Sequence, residues 1–172
     1  MIPRKLLIAA AILTSAVTTA CSDMAAPKND PGVLTAVARG ATVVATINGG
    51  GTAEMQLPGL AAGKTAFGME VKLLADGSAT GHVDCVDQHG DNLPGNIFGE
   101  VTSWRMEGQV VVLNVTGKLV SFSRGGPPVD VSFTLKIQQF GGAGVGHWTL
   151  EAFGRLFCVE ILTSGQIVYR PE

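Results

Sequence analysis

Long apolar runs are missing from this 172-residue chain. The longest uncharged, mostly apolar stretch, Leu6 to Val17, has 12 residues, and a membrane-spanning helix needs about 20 to cross about 30 Å of hydrocarbon. No helical span is expected. Basic residues are few: 12 Lys and Arg against 14 Asp and Glu. They are scattered, so neither the basic stripe of a nucleic-acid binder nor a polybasic lipid patch stands out. Nucleic acid is not expected as a partner. No window of 12 or more residues beyond the leader carries a helical stripe of apolar side chains, which excludes an α-helical domain. No serine sits in a Gly-x-Ser-x-Gly elbow, and no Lys-Ser/Thr follows Gly141-Gly142-Ala143-Gly144, so neither a hydrolase nucleophile nor a phosphate loop is signalled. The latter segment reads as a flexible inter-strand loop, and catalysis is not expected.

What is present begins with an address. Arg4 and Lys5 precede the apolar stretch, small residues follow, and then comes Cys21. That order is a secretory signal peptide over 1–20. Val17-Thr18-Thr19-Ala20-Cys21 resembles a lipobox, in which bacteria attach diacylglycerol to the cysteine before cleavage; Thr18 stands where an aliphatic residue is usual. The resemblance implies a cell-envelope lipoprotein held in the membrane through lipid on Cys21. With Ser22 next, it implies an outer-membrane address where the host has one, facing the periplasm or the surface. Several acyl chains suffice for stable anchoring, each buried CH₂ contributing about 0.8 kcal/mol. Losing 1–20 removes Arg4 and Lys5 and leaves a net charge of -4 on 152 residues, enough for one domain with a core. Residues 21–40 are rich in Ala, Pro, Asn, Asp and Gly and read as the lipidated cysteine and a flexible tether, with Val33 to Arg39 able to form a short strand or helical turn.

Residues 41–172 read as an all-β domain. Val129, Val131, Phe133, Leu135 and Ile137 alternate with Asp130, Ser132, Thr134, Lys136 and Gln138, which places five apolar side chains on one face of a strand. Ala66–Asp87 reads as a hairpin turning at Asp76-Gly77, and Ile97–Met106 with Gln109–Val120 as a second turning at Glu107-Gly108. His147–Phe153 and Leu156–Leu162 make a third. Ala41–Ile47, Thr52–Leu57 and Gly165–Arg170 read as separate strands, the last ending at a sheet edge. Eight or nine short antiparallel strands imply a β-sandwich or a small closed β-barrel, a choice that spacing leaves open.

Three cysteines are an odd number for an exported protein, but lipid on Cys21 leaves Cys85 and Cys158 as a pair. A disulfide between them suits an oxidising exterior, with two free buried thiols as the alternative. It would close about 73 residues, add at most about 4 kcal/mol, and require their Cα atoms to lie within about 6–7 Å.

Gly49-Gly50-Gly51, Phe67-Gly68-Met69, Gly81-His82-Val83-Asp84, Asp87 and Leu162-Thr163-Ser164-Gly165-Gln166-Ile167 together resemble a widespread family of small secreted bacterial β domains of uncharacterised function, over Asn48 to Val168. The resemblance implies an extracellular β domain without an assigned activity. Cys85 stands where that family more often has an aromatic residue.

The densest polar segment holds His82, Asp84, Asp87, His89, Asp91 and Asn92. Their oxygen and imidazole groups suit calcium or zinc, and such a metal could serve a hydrolase. The spacing lacks the later glutamate of an EF-hand, and a polar hairpin turn is the simpler reading, so no cofactor is expected. Trp104, Trp148 and Phe153 suit either a pocket or ordinary core packing. Function is thus expected to be a non-catalytic envelope role with an unknown protein or ligand partner. The alternative is a carrier whose barrel holds a small apolar ligand.

Overall fold

The computed structural model describes residues 40–57, 63–87, 95–121 and 126–172. Residues 1–39, with the leader, Cys21 and the tether, lie outside the described residues, as do His89, Asp91 and Asn92. Among the described residues all nine elements are strands: β1 (Val43–Met55), β2 (Lys64–Leu74), β3 (Ala79–Asp87), β4 (Gly95–Glu107), β5 (Val110–Ser121), β6 (Val129–Gln139), β7 (Gly141–Gly142), β8 (His147–Ala152) and β9 (Arg155–Pro171). Each pairs antiparallel with its neighbour, in the order β1-β2-β3-β4-β5-β6-β8-β9, and β9 returns to β1. Eight strands therefore close a barrel rather than a sandwich, and β7 adds a short outlying pairing to β9 at Gly141↔Ile167.

Alternation fills the interior. In β6, Val131, Phe133, Leu135 and Ile137 are buried, while Ser132 and Asp130 are exposed; Val129, the first of the five apolar residues, is 57% exposed at the strand's start. Ile47, Leu73, Leu113, Leu150, Leu162 and Ile167 join them in one core, where Phe67 packs against Trp148 with ring centroids 6.0 Å apart and planes tilted by 52°. An eight-stranded barrel is just wide enough for its own side chains to fill. The void left beside Trp148 and Phe67 is about 10 Å³, room for about one water and no more.

Glycines that read as strand breaks act instead as bends. Gly49–Gly51 lie inside β1, and Gly165 lies inside the 17-residue β9, so the expected pairs of strands are each continuous. Gly51 (φ 150°) and Gly165 (φ 76°) face one another across the β1–β9 seam, beside a register shift at Thr52/Ala53. A Cβ on Gly165 would stand 1.9 Å from the Gly50 carbonyl oxygen. Only glycine lets the backbones approach this closely, and the bend lets one strand serve two neighbours around the closure. Closure also overturns two further expectations. Tyr169–Pro171 pairs with β1 and is not a sheet edge, and Gly141–Gly146 is not simply a loop, since it contains β7 and the bond Gly146 N–H to Gly142 O at 2.8 Å.

The antiparallel order sorts the barrel's ends. The chain joins at Val43, and the 75–78 and 107–110 turns and Pro171 lie at that same end. Met55, Asp87, Gly95, Val129 and the Ala152–Arg155 turn lie at the other, distal end.

Candidate functional site

Of the residues first suspected of holding a metal, His82, Asp84 and Asp87 are described, all on β3. His82 and Asp84 share the outer face of β3, whereas Cys85 points into the core. Asp87, two residues on, lies close enough to Cys85 and Glu160 to act on both electrostatically. Among the described residues no three His, Cys, Asp or Glu side chains converge to hold an ion.

Cys85 and Cys158 come together in the interior as hydrogen-bonding neighbours, yet both are free thiols. The expected disulfide is not formed between them. The hydrogen bond with Cys158, then burial, holds the Cys85 thiol well above the ordinary thiol range.

Sequence reasoning passed over Glu160. It occupies an inward position of β9 between Cys158 and Leu162 and is fully buried. Thr65, itself buried, donates its hydroxyl hydrogen to Glu160 Oε2 at 3.1 Å, while Oε1 has no hydrogen-bond partner. Burial pushes this carboxyl up to about 7 against the one opposing hydrogen bond. The signal was the period-two position shared with Cys158 and Leu162. This interior group of one acid and two thiols is shut off from solvent: Glu160 is 0% and Cys158 3% exposed.

The outer wall differs. Where β4, β5, β6 and β8 run side by side, an open groove of about 380 Å³ lies on the surface. Its polar side chains are Thr102, Asn114, Thr116, Ser132, Thr134 and Glu151, all on outward positions. They form a partly tied network. Asn114 donates from Nδ2 to Ser103 Oγ at 2.9 Å, and Thr134 donates to Asn114 Oδ1 at 3.4 Å. Glu151 is neutralised by Lys136 at 2.8 Å. A bulge between Val101 and Ser103 places the extra residue, Thr102, on the groove.

Phe153 stands at the groove's distal end, 57% exposed. With Gly154 it makes the two-residue turn between Ala152 and Arg155, and both carry positive φ, 53° and 72°. Those angles define a type I′ turn, whose first position favours Asn, Asp or Gly. Phe153 is the one non-glycine residue with positive φ among the described residues. Of the three aromatics singled out from the sequence, only Phe153 lines this groove. Trp148 is core, and Trp104 donates its indole hydrogen to the Leu74 carbonyl at 2.8 Å, tying β4 to the β2–β3 turn.

The fold and this surface define a small, closed, antiparallel β-barrel with a filled interior. No family model matches the chain, and no curated protein or solved structure matches it either.

Proposed function

We propose that this chain is a cell-envelope lipoprotein, anchored through Cys21, whose barrel is a non-catalytic binding module that works through its outer surface. The observation that carries the second half is the contrast in space: about 10 Å³ inside against about 380 Å³ in the outer groove. Small-molecule sites measure roughly 300–1,000 Å³, so the interior is far too small for an enclosed apolar ligand, which disfavours the carrier. The acid and thiols that could do chemistry are buried where no solvent-borne substrate meets them. The anchor rests on the lipobox-like VTTAC alone.

Expression in a bacterium fed a radiolabelled fatty acid tests the anchor. Label on the wild-type chain, none on Cys21→Ser, and release of that variant from the membrane fraction are expected. An unlabelled wild-type chain recovered in the soluble fraction overturns the anchoring.

A further inference from the structure

We infer that the outer groove of β4, β5, β6 and β8 is a binding site for a neutral saccharide chain, with Phe153 as the stacking platform. The inference rests on the outer-surface reading and names its ligand class. Three independent features converge on it.

The first is the lining. Asn114, Thr116, Ser132 and Thr134 present an amide and three hydroxyls from adjacent strands. Such groups both donate and accept, as the hydroxyls of a sugar do. An apolar ligand would desolvate the Thr116 and Ser132 hydroxyls, which lie outside the Ser103–Asn114–Thr134 network, at a cost of about 1–3 kcal/mol each.

The second is charge. Among the described residues, Glu151 is the one ionisable side chain lining the groove, and Lys136 pairs with it. An anionic ligand would find no unpaired cation lining the groove, and a cationic one would have to compete with Lys136 for Glu151. A neutral polyol fits this balance, and the carboxylate retains acceptor capacity for a sugar hydroxyl.

The third is Phe153. A β8–β9 turn of this kind forms with least strain from Asn-Gly, yet it holds a large aromatic residue in the left-handed region, more than half exposed. The placement costs about 1–3 kcal/mol locally while more than half of the residue stays exposed, and such strain gathers at ligand clamps. An exposed ring beside a row of hydroxyls offers a flat apolar face to the C–H face of a pyranose while the row takes its hydroxyls.

The test is a ¹H–¹⁵N NMR titration of the full labelled chain in dodecylphosphocholine micelles, a detergent without a sugar headgroup, using chitotetraose and cellotetraose as probes. Saturable shifts at Thr134, Glu151 and Phe153 amides are expected with at least one of them. Phe153→Leu should weaken binding about tenfold by removing the ring face, and Phe153→Trp should restore it; unchanged amide positions away from the turn show that both variants fold. No saturable shift with either probe overturns the saccharide assignment and leaves the outer-surface reading standing. Groove shifts that Phe153→Leu leaves at full affinity overturn the stacking platform and with it this inference. Shifts centred on the Trp148 indole overturn both this inference and the outer-surface reading, because they place the ligand inside the barrel.

Discussion

Thr65 and Glu160 meet inside the barrel, the hydroxyl donating to one carboxyl oxygen at 3.1 Å while the other oxygen has no partner. Unfolded, this carboxyl releases its proton near 4.5; folded, burial holds the proton to about pH 7. Between those values the native state binds more protons than the unfolded state, so stability falls as pH rises and the loss is complete just above 7. A shift of this size corresponds to about 3 kcal/mol. Glu160→Gln cannot ionise and keeps a carbonyl oxygen for Thr65. Urea unfolding should find the variant close to wild type at pH 4.5 and more stable by up to about 3 kcal/mol at pH 8. Parallel stability profiles for the two proteins would contradict the assignment.

Gly99 and Gly117 are register partners on β4 and β5, and a Cβ on Gly117 would stand 1.9 Å from the Phe98 carbonyl oxygen. The obstacle is backbone, which no rotamer change relieves. Gly117→Ala should cost several times the ordinary single-substitution loss of about 1 kcal/mol or prevent folding. Gly126→Ala, with nothing within 4 Å of the new carbon, should leave the melting temperature within about 2 °C. Equal melting temperatures for both variants would contradict the close approach.

Phe153→Asn relieves the left-handed strain at the β8–β9 turn. Thermal unfolding should show a gain of about 1 kcal/mol. If the groove binds as inferred, the same variant loses saccharide affinity while it gains stability, a trade that a purely structural residue would not show.

Cys85 and Cys158, as buried thiols with Cys85 held protonated by its neighbour and by burial, should resist iodoacetamide in the native protein and react fully in urea. Mass spectrometry counts the added groups. Rapid alkylation of both in the native state would show that the interior opens to solvent.

Much of the architecture was legible in the chain. The alternation from Val129 to Ile137 announced β6, and Asp76-Gly77 and Glu107-Gly108 announced their hairpins, because period-two patterning and turn chemistry are local. The glycines at 49–51 and 165 misled, since a glycine that ends a strand and one that bends it look alike until the partner strand is known. Closure by β1–β9 joins residues more than 100 positions apart, so a barrel could not be told from a sandwich. The groove was illegible for the same reason: Thr102 and Phe153 are 51 positions apart, and only the register of four strands sets them on one wall. Glu160 was hidden by its own chemistry. A glutamate among apolar residues reads as the outward member of a strand, whereas here it takes the inward place.

Native mass spectrometry of the full chain, offered chitotetraose and palmitic acid together, tests most directly whether the outer wall or the interior is the working surface. The expected spectrum shows a saccharide adduct that Phe153→Leu reduces, and no fatty-acid adduct. A retained fatty acid with no saccharide adduct would contradict the account and make the barrel a carrier.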